Sequence, residues 1–229
     1  MRIAFLLFPS ITQLDLTGPA QVLARLGGDA RLDLVWRTID PVMTDAGFAI
    51  VPTATFDTVQ SADILCVPGG IEVNAVIADD DAMNWVKQIG ADADWVTSVC
   101  TGSLILGAAG LLQGYRATSH WAWRDMLPLF GATPVAERVV IDRNRVTGAG
   151  VTAGIDFALS LTALIRGETH AQAVQLSLEY DPAPPFDAGT PDRAGEAIVA
   201  GFQERMAKLA PGREEELRSL AVRRGFFGA

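Results

Sequence analysis

Trp95-Val96-Thr97-Ser98-Val99-Cys100-Thr101-Gly102-Ser103 is the stretch whose reading decides the fold of this chain. Trp95 to Val99 reads as a buried strand. The small, apolar segment from Gly102 to Gly110 reads as a helix packed tightly on a sheet. The cysteine between them is flanked by small residues, as in a nucleophile elbow with cysteine in the nucleophile's place. Small neighbours let the backbone turn sharply at Cys100 and leave its sulfur above the carboxyl edge of the sheet, where ligands of open α/β sheets bind. At a helix N-terminus the dipole is expected to favour thiolate and lower the Cys100 pKa. The alternative is a small buried hydrophobe, which a strand-end cysteine is by default. The turn context favours the nucleophile.

Outward from the elbow, the same alternation repeats. Ile3 to Phe8 is a continuous apolar run ended by Pro9, consistent with a strand covered on both faces. Thr17-Gly18-Pro19 supplies a cap and an early proline for a helix running to Leu26, which Gly27-Gly28 ends. Further strands are expected at Leu32 to Ile39, Phe48 to Val51 and Asp63 to Val67, the last closed by Pro68-Gly69-Gly70. Asp79 to Gln88 has acids in front and Lys87 near its end, which suits a helix dipole. Asp142-Arg143-Asn144 reads as a hairpin turn between Arg138–Ile141 and Arg145–Thr147. Gly154 to Ile165 and Ala171 to Leu178 read as helices. Strands alternating with helices predict a doubly wound α/β sandwich with a mostly parallel sheet.

The chain divides by composition at about residue 191. Residues 181–191, DPAPPFDAGTP, hold four prolines and exclude regular structure. Residues 1–191 are therefore expected to form the main domain, and 192–229 a helical extension packed on it or on a second subunit. In that extension Ile198, Phe202, Met206 and Leu209 recur at helical spacing.

Composition excludes whole classes of function. The 229 residues are 49% hydrophobic and 20% charged, which rules out disordered and low-complexity architectures. A net charge of −9 repels phosphate backbones and anionic lipid, so neither nucleic acid nor a membrane is an expected partner. The extension carries seven basic and six acidic residues, net +1, which leaves −10 for residues 1–191. Two cysteines and two histidines without close-pair spacing argue against a metal site and against a disulfide scaffold, and so for a reducing cytoplasm.

Further positions bear on chemistry or could be mistaken for it. Gly69-Gly70 permits close backbone approach and can aim N–H groups at a ligand, as in an oxyanion hole, although Pro-Gly-Gly is also a routine turn. Asp15 follows the first strand; with Thr17 free to cap, its carboxylate lacks a structural task and reads as a site acid with a raised pKa. His120 could approach the site or be a satisfied structural histidine, two readings of equal weight. His170 is expected on a solvated face, and Cys66, inside an apolar run, in the core.

Pro68-Gly69-Gly70 after a strand, the Val99-Cys100-Thr101-Gly102 elbow and an acid after the first strand together resemble the DJ-1/PfpI superfamily. FLLFP, LDLTGP, SVCTGSLILGAAGLLQG, ATSHWAW, TGAGVTAGIDFAL and EYDPAPPFDAGTPD extend the resemblance over nearly the whole chain, to the isocyanide-hydrating branch. Two departures set it apart from other members. Asp15 stands where many have glutamate, and Thr101 stands where PfpI-type proteins have histidine, which disfavours protease or amidase activity. The resemblance implies a flavodoxin-like fold, a homodimer, no cofactor and a small-molecule isocyanide substrate. It implies that Cys100 attacks the isocyanide carbon, that Asp15 supplies the proton, and that water hydrolyses the resulting thioimidate to an N-formamide. Thr101 would position Asp15 or water, Gly69 and Gly70 would wall the pocket, and the N–H groups of Gly70 and Thr101 would line it. His120 and Val151 would stand behind it. The helix after Gly150 would abut the site and shift when the cysteine's charge changes.

Two other functions fit parts of the same pattern. One is a ligand-sensing domain like that of AraC-type regulators, disfavoured by the acidic charge and by a tail without a convincing recognition helix. The other is glyoxalase-type aldehyde chemistry, which uses the same thiol and a neighbouring acid.

Overall fold

Ile3, Ala4, Phe5 and Leu6 have no exposed surface, as a strand covered on both faces requires. They lie in β1 (Arg2–Leu6) of a computed structural model that describes residues 1–226. The chain continues through α1 (Gln13–Leu23), β2 (Arg31–Trp36), β3 (Val42–Met43), β4 (Ala49–Ile50), β5 (Ala54–Thr55), β6 (Ile64–Val67), α2 (Val73–Ala78) and α3 (Asp80–Asp92). There follow β7 (Trp95–Val99), α4 (Gly102–Ala108), β8 (Arg116–Ala117), a 3-10 helix over Arg124–Phe130, β9 (Thr133–Pro134), β10 (Val139–Asp142) and β11 (Arg145–Gly148). The remaining elements are α5 (Ala153–Arg166), α6 (Glu168–Ser177), α7 (Pro191–Ala194), α8 (Glu196–Leu209) and α9 (Arg213–Arg223).

Seven strands form the main sheet in the order β10-β11-β7-β6-β1-β2-β5. All neighbours are parallel except the β10–β11 hairpin at the edge. The five strands β2-β1-β6-β7-β11 give the flavodoxin-like doubly wound order. From β1 the chain winds to β2 on one side, and from β6 it winds to β7 and β11 on the other. The direction reverses between β1 and β6, and there the carboxyl ends of the strands open a crevice. Asp15, Gly69-Gly70 and Cys100 follow β1, β6 and β7, so the topology alone brings them to that crevice.

Several local expectations are corrected. Helix α1 starts at Gln13 with Thr12 as N-cap, so Asp15 lies in its first turn and Pro19 in its interior. Thr17 is not the cap; its hydroxyl donates to Gln13 Oε1 at 2.8 Å. The expected second strand ends at Trp36 rather than Ile39. Helix α6 begins at Glu168, where Gly167 breaks the chain from α5. His170 is not on a solvated face, because it is half-buried with Nε2 2.9 Å from the Arg25 carbonyl. By contrast Asp79 caps α3 as its acidic start suggests, accepting from the N–H groups of Asp81 and Ala82.

The extension beyond residue 191 is several helices, not one; its last three residues lie outside the described range. Helix α8 has no buried residue, and Ile198 and Leu209 on its apolar stripe are exposed. Helix α9 instead buries Leu217, Leu220 and Ala221. Asn74 Nδ2 of α2 donates to Arg213 O at 2.9 Å and to Glu216 Oε2 at 2.8 Å. Arg224 and Arg223 donate to the Ile77 and Ala78 carbonyls at the end of α2, where the helix dipole favours cations. Among the described residues no helix is long and apolar enough to cross a membrane.

Candidate active site

Cys100 has φ +58°, a left-handed conformation that a non-glycine residue adopts at a local cost. Its surroundings hold it there. The Cys100 N–H donates to Gly148 O at 3.1 Å, at the end of β11, and to Ala149 O at 2.6 Å just beyond it, and its carbonyl accepts from Ser103 Oγ at 3.1 Å and Ser119 Oγ at 3.0 Å. Gly102 makes the turn possible, since a Cβ there would stand 2.0 Å from Val67 O. This is the geometry of a nucleophile elbow: strand, strained cysteine, helix.

Asp15 is fully buried. Its Oδ2 accepts from the Gly69 N–H at 2.9 Å, whereas Oδ1 has no hydrogen-bond partner. Burial raises its pKa from the ordinary 3.8 to about 7, against the lowering influence of the Gly69 N–H and the Cys100 thiol. The Cys100 thiol is pushed well above its ordinary value, first by burial and then by the Asp15 charge, although the Thr101 N–H and hydroxyl stabilise the thiolate. This overturns the expectation of an acidified resting thiol. Desolvation and a neighbouring carboxylate outweigh a helix terminus only seven residues long. Burial and the Asp15 charge together favour the protonated thiol in the resting site.

The two glycines serve differently from the expectation that their N–H groups await a ligand. Both are occupied by side chains, Gly69 N–H by Asp15 and Gly70 N–H by Thr101 Oγ1 at 3.1 Å. The Thr101 hydroxyl in turn donates to Gly70 O at 3.3 Å. Glycine is required at 69 by close approach, since a Cβ would lie 2.6 Å from Thr101 N, 2.7 Å from Thr101 Oγ1 and 2.9 Å from Asp15 Oδ2. The structure thus brings together Cys100, Asp15, Thr101, Gly69 and Gly70.

His120 keeps its structural partners. Its Nδ1 accepts from the Ala122 N–H at 3.3 Å and its ring stacks on Phe202 at 5.7 Å. Burial and the Arg213 charge lower its pKa to about 4, so it is neutral at physiological pH. Val151 lies half-buried just before α5 and packs against the core. Cys66 is buried in β6, accepts from Thr97 Oγ1 at 3.1 Å, and is pushed up to about 12 by burial.

Two groups at the site are absent from the sequence reading. Ser119 holds the Cys100 carbonyl, and its only signal is its place beside His120. Arg213 of α9 donates through Nη2 to Gly70 O at 3.1 Å, across 143 residues of chain, and no local pattern marks it.

The model of the DJ-1/PfpI family matches residues 1–164, a span that holds Cys100 and Asp15 but not Arg213. Isonitrile hydratase of Pseudomonas putida is 53% identical over 207 residues, covering 90% of each chain. A ThiJ/PfpI family protein from Pseudomonas syringae, known as a crystal structure, is 47% identical with a TM-score of 0.90, over 96% of this chain and 90% of that one. The transcriptional regulator CdhR of Pseudomonas aeruginosa is 29% identical over 185 residues, which is 77% of this chain and 53% of the regulator.

Proposed function

This chain belongs to the DJ-1/PfpI family, and from that membership we propose that it is an enzyme that hydrates isocyanides to N-formamides, with Cys100 as nucleophile and Asp15 as proton carrier. The observation that carries this reading is a buried carboxyl that converges with the elbow on Gly69, where a Cβ would touch Thr101 N and Asp15 Oδ2 together, while His120 is stacked on Phe202. A cysteine hydrolase needs a base that returns its proton to a leaving group. An isocyanide has no leaving group. Its terminal carbon accepts a nucleophile and a proton at one atom, which suits one thiol and one carboxylate.

The steps follow from where the proton rests. The Asp15 carboxylate takes the thiol proton as the sulfur bonds to the isocyanide carbon, then delivers that proton to the same carbon. The product is a neutral thioimidate, R–N=CH–S–Cys100. Water adds across its C=N bond, with hydroxyl to carbon and a proton to nitrogen. The tetrahedral adduct then expels the sulfur, which regains a proton, and releases R–NH–CHO. A carboxyl with a pKa of about 7 is suited to both halves of this transfer near neutral pH. Thr101 and Gly69 hold the geometry, Thr101 by fixing Gly70 and Gly69 by fixing Asp15.

Incubating the purified protein with an aryl isocyanide should yield the N-formamide, and Cys100→Ala should abolish it. Absence of turnover, or turnover undiminished in the variant, would refute the proposal, and faster turnover of methylglyoxal would redirect it to aldehyde chemistry. We also propose a cytoplasmic homodimer that does not bind nucleic acid, supported by the −9 charge, two free cysteines and the exposed Ile198 and Leu209 of α8. Light scattering giving a monomer mass would count against the dimer.

A further inference from the structure

Arg213 is buried, and among the described residues it forms no salt bridge. Burying a guanidinium without a paired carboxylate is unfavourable unless other interactions compensate. Three are present. Its Nη2 donates to Gly70 O at 3.1 Å, and its guanidinium carbon lies 4.3 Å from the centroid of the Trp123 ring. An ionised Cys100 attracts it, as the Glu72 and Glu216 charges do, and this works against the effect of its burial. Its Nε stays buried without a partner. A residue retained only to staple α9 would be better served by a neutral side chain.

The position of Gly70 makes this arrangement consequential. Its carbonyl accepts from both Arg213 and the Thr101 hydroxyl, and its N–H donates back to that hydroxyl. Displacement of the Gly70 carbonyl would therefore move Thr101, which stands between the elbow and the Gly69-Gly70 turn. We propose that Arg213 is a positioning residue of the Cys100 site: from the C-terminal extension it anchors the Gly70 carbonyl, and with it Thr101, and brings a positive charge that attracts the Cys100 thiolate.

The other charged groups around this pair are few. Glu72 and Glu216 attract Arg213, Asp45 repels the Asp15 charge, and His120 is held neutral. Removing the Arg213 charge should therefore make the Cys100 thiolate harder to form, with no new cation to replace it.

The proposal extends the isocyanide-hydratase reading, but its main readout needs no isocyanide. The rate of Cys100 carbamidomethylation by iodoacetamide is measured against pH for wild type, Arg213→Lys and Arg213→Gln, with circular dichroism confirming folding. Arg213→Gln should move the midpoint of the profile up by about one pH unit. Arg213→Lys should keep the midpoint near wild type. In the formamide assay both variants should lose about tenfold in kcat with little change in KM, because Gly70 loses its two-handed anchor. Unshifted alkylation profiles in both variants would overturn the charge, and unchanged kcat in both would overturn the anchor. If Arg213→Gln fails to fold, Arg213→Met replaces it, and failure of both neutral variants to fold would overturn the positioning role in favour of a structural one. A protein without isocyanide turnover but with the expected alkylation shift would sink the functional reading and leave this one standing.

Discussion

Replacing Asp15 by asparagine should do two opposite things to the same cysteine. Asparagine is nearly isosteric, and its amide oxygen can still accept from the Gly69 N–H now 2.9 Å from Oδ2, so the elbow should stay in place. What it cannot do is carry a proton. Proton transfer by a positioned side chain is worth about 10²- to 10⁴-fold, so kcat for formamide release should fall by that amount. The resting thiol, however, is held up partly by the Asp15 charge. Asp15→Asn should therefore lower the Cys100 pKa and speed its alkylation at pH 8 while slowing turnover. Stability should follow its own sign. A carboxyl whose pKa rises on folding from 3.8 to about 7 binds protons more tightly in the folded state. Its contribution is full below pH 3.8, is lost as the pH rises to about 7, and stays lost above. At ~1.36 kcal/mol per pH unit, the loss is on the order of 4 kcal/mol, all of which the neutral amide escapes. Urea denaturation of both proteins at pH 5 and pH 8 should then show the variant gaining on wild type as the pH rises. Wild-type turnover in Asp15→Asn, or an alkylation rate that falls along with it, would refute the assignment of the proton to this pair.

Other outcomes test the surrounding shell. Gly69→Ala should lower kcat by at least about tenfold, because its Cβ would press on Thr101 N, Thr101 Oγ1 and Asp15 Oδ2 together; a variant with full activity would show that the turn yields without moving the site. His120→Asn should leave the pH profile of kcat unchanged, since the ring is neutral above about pH 4, and a lost limb in that profile would make the imidazole a participant. Mass spectrometry after iodoacetamide treatment of the folded protein should find Cys100 modified before Cys66, since Cys100 stands at the turn beyond the end of β7 whereas Cys66 lies inside β6 with its sulfur bonded to Thr97. Cys66→Ala should retain activity while losing about 1–2 kcal/mol of stability in chemical denaturation.

The elbow was legible because its determinants are local. An apolar run before Cys100 and small residues on both sides are read from adjacent positions, and steric fit between neighbours enforces the turn. The start of α1 was misread for the complementary reason. Thr12 and Thr17 are both plausible caps, and a proline inside a helix is unfavourable, yet packing decides, with Pro19 seated against Gly154 of α5. Residues Ile198 to Leu209 do form a helix as their spacing suggests, but spacing does not say which face is covered.

The sequence by itself determined the strand-helix alternation, the elbow at Cys100, the place of Asp15 just after the first strand and the glycines of the β6 turn. It determined them because sterics, periodicity and turn chemistry act over a few residues. Only the tertiary structure decided the state of the site. Asp15 meets Gly69 across 54 residues, Thr101 meets Gly70 across 31, and Arg213 meets Gly70 across 143. Burial at that meeting point raises both the carboxyl and the thiol, reversing the acidified cysteine that a helix terminus alone suggests. Charge in a protein answers to solvent exclusion and to neighbours in space, and neither is written in the order of the residues.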